Sequence, residues 1–170
     1  MSRALKYDVV SESDMIRSVV TNMKDLIATS SSIIDAAQTS IVWCASSSVL
    51  NLFVGYGVFK SSKTFLERGG SMRGVTEISP SSAGPMLQLV QAGAAIHHAP
   101  QPLRAFMLVG DARESISALQ IDPERISLAM PLAAFWTDDA TYAAWLLDRF
   151  EAEWTQSIDG EERMRELSKR

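Results

Sequence analysis

A single cysteine, Cys44, stands in the whole chain. No internal disulfide can form, so the fold rests on burial, and the chain suits a reducing compartment. No apolar run approaches the ~18 residues that a bilayer span needs. Met1-Ser2-Arg3-Ala4-Leu5-Lys6 leads into Tyr7-Asp8 and not into an apolar h-region, so no signal peptide is expected. The expectation is a soluble, cytoplasmic protein. A basic excess is also missing. Sixteen Lys and Arg face twenty Asp and Glu, for a net charge of −4. A duplex-binding domain carries a positive footprint, so direct nucleic-acid binding by this domain is not expected. Internal repeats, low-complexity tracts and metal-ligand spacings are absent, and no metal or cofactor is expected.

What is present fits one domain. The length of 170 residues is enough for a real core, and 46% hydrophobic with 21% charged residues is ordinary for a globular protein. Met15, Ile16, Val19, Val20, Met23, Leu26, Ile27, Ile33 and Ile34 recur at helical spacing and predict one long helix from about Ser13 to Ala37. Ser11 or Ser13 would cap it, and Ser30-Ser31-Ser32 would weaken it midway. Such a helix covers a sheet or serves dimerisation. Ser40 to Ala45 is a continuous apolar run that predicts a central strand buried on both faces. Ser46-Ser47-Ser48 follows, then a helix from near Val49 to Arg68, interrupted by Gly55-Tyr56-Gly57. Ser71 to Ile78 predicts a second strand, Ala83 to Ala92 a short helix, and Ala94 to His98 a third strand.

The strand–helix–strand–helix–strand order implies parallel strands joined by right-handed crossovers. Arg104 to Val109 then reads as an apolar strand, Gly110-Asp111 as a tight turn, and the segment to Leu119 as a second strand of a hairpin. Arg125 to Met130 predicts one more short strand. Thr137-Asp138-Asp139 caps a final long helix whose buried stripe would be Tyr142, Trp145, Leu146, Phe150 and Trp154. After Asp159-Gly160 the tail is highly charged, helical and solvated.

Three motifs, in this order, carry a resemblance. Arg73-Gly74-Val75-Thr76-Glu77-Ile78 is a strand after a helix. Ile96-His97-His98 leads into the Arg104–Asp111 strand and turn. Phe150-Glu151-Ala152-Glu153-Trp154 closes the last helix. The set, over roughly Ser40 to Glu166, resembles a half-domain of the phospholipase D superfamily, whose signature is His-x-Lys, four residues, Asp. Aligned on Asp111, Arg104 stands at the His position and Phe106 at the Lys position. The chain is similar to the catalytically degenerate sensor domains of some prokaryotic histidine kinases and of TrmB-like and LuxR-like transcription regulators. The resemblance implies an α/β fold with a mixed, mostly parallel sheet flanked by helices. It divides the chain into an N-terminal helix (1–38), a phospholipase D-like domain (39–158) and a charged tail (159–170). It also implies ligand sensing or signal relay in transcription regulation, beside a kinase or helix-turn-helix module in a longer chain.

Phospholipase D chemistry needs a His nucleophile on phosphorus and a Lys for phosphate charge. A guanidinium stays protonated and cannot attack, and Phe106 has no charge. Arg104 retains a fork of donors that suits phosphate or carboxylate, or it is a surface Arg after a Pro-rich loop. In an open parallel sheet, ligands favour the carboxyl ends of the strands. Ser46, Ser47, Glu77, Ser79 and His98 fall near such ends and, with Arg104, Phe106 and Asp111, form the candidate ligand-binding set. Their alternative use is as helix caps and solvated loop polars. A Phe106 directed into a cavity would make that cavity apolar and suited to a small organic ligand. The expectation is therefore a non-catalytic sensory domain that binds a small ligand or partner and relays a signal as a homodimer, with no catalytic residue assigned. Its rivals are a divergent phosphodiesterase or hydrolase using His98 and Asp111, and a pure dimerisation module.

Overall fold

The computed structural model describes residues 17–119, 121–122 and 124–167. Its elements in chain order are β1 (Ser18–Asn22), α1 (Met23–Ala36), β2 (Ser40–Cys44), α2 (Ser47–Gly55), α3 (Val58–Glu67), β3 (Ser71–Thr76), α4 (Ala83–Gln91), β4 (Ala95–His98), β5 (Phe106–Gly110), β6 (Glu114–Ala118), β7 (Pro131–Thr137), α5 (Ala140–Gln156), β8 (Ile158–Asp159) and α6 (Gly160–Leu167). One eight-stranded sheet runs β1-β7-β6-β5-β2-β3-β4-β8. It is mixed and flanked by helices, as expected. Its parallel part is confined to β2, β3 and β4, and the other five pairings are antiparallel. The expectation of a mostly parallel sheet is corrected here. Two extra strands sit at the edges, and the hairpin brings only antiparallel neighbours.

β2 is the centre. Its apolar run is buried on both sides, with Ile41 and Trp43 in the larger core and Val42 and Cys44 in the smaller. The larger core lies between the sheet and α1 to α4; the smaller is covered by α5. The Cys44 thiol is pushed up to about 12, by burial first and then by the Glu153 charge, so it is inert packing. Trp43 lies directly over Gly74 of β3, where a Cβ would come within 2.1 Å of the indole. Glycine is required there because a backbone must accept a ring against it.

Three local expectations fail for physical reasons. The helix expected from Ser13 begins at Met23. Val19 and Val20 are β-branched and pair with Phe135 and Ala134 of β7 instead, and Asn22 turns the chain by accepting the Asp25 N–H at 2.9 Å. Ser11, Ser13, Met15 and Ile16 lie outside the described residues. The triple serine does not break α1, since Ser30 fits the buried face. The strand expected at Arg125–Met130 starts only at Pro131, which takes the first strand position that proline tolerates.

The hairpin β5–β6 is as expected, with Asp111 and Ala112 both in the left-handed region at φ 51° and 54°. α5 is capped by Asp139, which accepts the Tyr142 N–H at 2.8 Å. Its buried face is Ala143, Leu146 and Phe150. Trp145 is 53% exposed and drops out of the expected stripe, because it sits about 100° around the helix from Leu146. α6 is not wholly solvated. Gly160 is buried against the Ile96 carbonyl, and Met164 and Leu167 pack on the larger core.

Gly74→Ala is expected to lose about 1–3 kcal/mol, because the new methyl must displace a ring held inside a filled core. The shift in denaturation midpoint measures it, and an unchanged midpoint would show that Trp43 moves freely.

Candidate functional site

β5 runs antiparallel to β2, with Cys44 opposite Met107, so the start of β5 meets the carboxyl ends of β2, β3 and β4. Ser46, Ser47, Glu77, Ser79, His98, Arg104 and Phe106 therefore share one end of the sheet. Asp111 does not. It follows Gly110, which pairs with Ile41, and lies at the far end.

The far-end acid is a structural staple. Its carboxylate accepts the N–H groups of Gln38 at 2.7 Å, Thr39 at 2.8 Å and Ser40 at 2.9 Å, and the Thr39 hydroxyl at 2.8 Å. Burial pushes the Asp111 carboxyl up, but those four donors together outweigh it and hold it at about 2. Asp111 thus fastens the α1–β2 connection to the hairpin turn.

At the near end Glu77 is the organiser. One carboxylate oxygen accepts the Ser47 N–H at 2.9 Å, at the first turn of α2, and the other accepts the Leu103 N–H. A negative group at a helix N-terminus is favourable. This contact joins the end of β3, the start of α2 and the loop that carries Arg104. The Ser46 hydroxyl caps α2 by accepting from Val49. Ser79 starts the α4 turn, its N–H donating to the Ser82 hydroxyl at 3.0 Å. The two serine positions beside α2 thus act in helix starting, and Ser47 offers its N–H to Glu77.

His98 Nδ1 accepts the Ile78 N–H at 2.8 Å. An accepting Nδ1 places the ring proton on Nε2, so the neutral ring presents a donor and not a lone pair. Burial lowers its pKa first, then the Arg163 charge, against the raising effect of Glu77 and Glu166. His97 occupies the other face, as alternation requires. It stacks on Trp154 at 3.6 Å and meets the Ser157 hydroxyl at 3.0 Å. Arg73 backs the same indole and pairs with Glu151 at 2.5 Å. The role of Arg163 beside His98 had no signal in the sequence, because the two meet only when α6 returns to β4.

Arg104 is exposed, and among the described residues its guanidinium has no hydrogen-bond or ion-pair partner. Arg104 lies in the loop before β5, which starts only at Phe106; Phe106 is only 2% exposed and meets Phe53 edge to face at 5.4 Å. It walls a cavity of about 30 Å³ between the sheet and the α2–α3 pair. The wall is apolar except for Ser62, whose hydroxyl donates to the Val58 carbonyl at 2.9 Å. Among the described residues no group of three or more His, Cys, Asp or Glu converges on a metal-sized site.

No protein-family model matches the chain, and neither does any curated protein. Solved structures do match. The archaeal chromatin protein TrmBL2, whose structure shows a novel mode of DNA binding, superposes with a TM-score of 0.67 at 16% identity, over 89% of this chain and 56% of that one. Nuc from Salmonella typhimurium, a phospholipase D family member, gives 0.64 at 16% identity, over 84% and 97%. This chain has a phospholipase D-like fold. NucT from Helicobacter pylori agrees, at 0.60 and 9% identity over 84% and 97%. The chain thus spans just over half the length of TrmBL2 and matches nearly all of the length of Nuc.

Asp111→Asn keeps the volume and tolerates the left-handed backbone but loses one acceptor oxygen. It is expected to cost at least about 1 kcal/mol at pH 7. The Asp111 pKa lies below its ordinary 3.8, so its contribution is complete above that value and disappears as the pH falls through about 2. The gap in stability between the two proteins therefore closes in acid. His98 is also lowered, from 6.5, so the unfolded state takes up more protons below that pH. Its contribution is whole above 6.5 and is lost as the pH falls through the lower folded value. The melting temperature should sag between pH 7 and 5, and His98→Asn should flatten that slope; an equal slope in both proteins places the titration elsewhere.

Proposed function

We propose that this chain is a non-catalytic, phospholipase D-like sensory domain of a regulator. It binds a small ligand or partner at the end of the sheet around Ser46, Ser47, Glu77, Ser79, His98, Arg104 and Phe106, and passes the signal on through α1 or α5. The observation that carries this reading is Phe106. Where the phospholipase D signature has a charge-bearing lysine, this chain buries a phenyl ring in an apolar wall, and Arg104 at the nucleophile position cannot attack phosphorus.

The rival hydrolase reading depends on His98 and Asp111. The two stand at opposite ends of the sheet, and Nε2 of His98 carries the proton that a nucleophile or base must lack. A homodimer follows from the resemblance, because two-halved phospholipases pair their halves and this chain has one. TrmBL2, a DNA-binding chromatin protein with much of its length outside the match, supports the idea of such a domain working beside a second module. The net charge of −4 argues that nucleic-acid contact would come from that module.

Bis(4-nitrophenyl) phosphate should not be turned over above background. Turnover that disappears in His98→Ala would put the enzyme reading first. Light scattering should give twice the chain mass, and a ligand held at a hundred times its Kd should add about 2.7 kcal/mol of stability, read as a rise in melting temperature.

A further inference from the structure

We propose that the cavity between α5 and the far end of the sheet binds a free aliphatic α-amino acid, whose two charges seat on Arg73 and Glu151. The site lies at the opposite end of the sheet from Glu77 and His98, so it is independent of any ligand held there.

The cavity measures about 320 Å³, at the lower end of the range for small-molecule pockets, about 300–1,000 Å³. Its floor follows from strand register. Ser40 stands beside Ser71, and Val42 stands between Arg73 and Val109. Alternation sends these five side chains to the α5 side, where Val42 and Val109 belong to the smaller core. α5 supplies the roof with Leu147 and Glu151, about one helical turn apart. Val42, Val109 and Leu147 make the apolar part of the wall. Ser71, Ala112 and Glu151 are exposed and form its open side.

Arg73 is a fixed cation here and not a loose surface one. Its guanidinium lies over the Phe150 and Trp154 rings, 5.0 and 5.3 Å from their centroids, and the Trp154 indole is itself stacked on His97. It donates to the two Glu151 carboxylate oxygens at 2.5 and 3.3 Å. The rest of its N–H fork makes no hydrogen bond among the described residues, and neither do the hydroxyls of Ser40 and Ser71.

A fixed pair of opposite charges on a cavity wall selects a guest by its charges. A lone anion is drawn to Arg73 and repelled by Glu151 at nearly the same distance, and a lone cation meets the reverse, so each gains little. A zwitterion laid antiparallel to the pair gains from both. In an α-amino acid the ammonium and the carboxylate flank a single carbon, which suits two adjoining opposite charges. That same carbon carries the side chain into the apolar part. A wall of two valines and a leucine rewards an aliphatic side chain and offers a polar one no partner.

The probe is L-leucine, titrated into the full chain and followed by backbone amide resonances. Its comparisons are 4-methylpentanoate, which lacks the ammonium, 3-methylbutylamine, which lacks the carboxylate, and glycine, which lacks the side chain. Leucine should move the Ser71 and Ala112 amides and leave those of Ser47 and Leu103, at the near end, in place. Each singly charged analogue should bind about tenfold more weakly or worse. Glycine should bind about two-hundredfold more weakly, at about fourfold for each of four buried carbons. Glu151→Gln, an exposed change, should weaken leucine and tighten 4-methylpentanoate until the two bind alike, whereas a merely damaged fold would weaken both. Unmoved Ser71 and Ala112 amides at millimolar leucine, or a singly charged analogue that binds as tightly as leucine, overturns the site. Shifts confined to Ser47 and Leu103 overturn it as well and leave near-end binding standing.

Discussion

The fold depends on β2 being sealed on both faces. A strand with apolar side chains above and below needs layers on each side, and here α1 to α4 supply one and α5 the other. The Trp43 indole is laid on Gly74, its register partner in β3, and fills the space that a Cβ there would take. From that fixed pair the rest follows. The carboxyl end of β2 fixes where α2 begins, and the parallel register of β3 brings Glu77 to the same place. The antiparallel register of β5 delivers Arg104 and Phe106 beside them.

Much of this was legible in the chain because the strongest signals were local. The continuous apolar run at Ser40 to Ala45 and the glycine-marked hairpin after Val109 each name their own structure. So do the Gly55-Tyr56-Gly57 break and the Asp139 cap. What was not legible depends on partners far along the chain. Val19 and Val20 fit a helical spacing, and only the pairing with β7 decides for a strand. Pro131 to Thr137 mixes exposed and buried positions without clean alternation, so it carries no period-two signal. The proportion of parallel strands could not be read, since the two edge strands were the ones missed.

The same division runs through the candidate site. Clustering of seven of the eight candidate residues at one end followed from topology alone, because strand ends and turns are marked in sequence. Asp111 was misplaced within that group, since a motif in one dimension does not show that its first and last members flank opposite ends of β5. Nor does sequence show that Nδ1 of His98 is engaged by a backbone N–H, or that Arg163 returns to stand beside it. What separates a fold from its chemistry here is a matter of which end of β5 a residue occupies. The far end holds the Asp111 staple, and the near end carries the buried Phe106 ring.

Glu77 ties together two separate pieces of the near end. One side chain grips the first turn of α2 with one oxygen and the Leu103 amide with the other, so the helix start and the Arg104 loop are geared together. A tilt of α2 would therefore pull, through Glu77, on the loop that carries the exposed Arg104, whose guanidinium has no partner among the described residues.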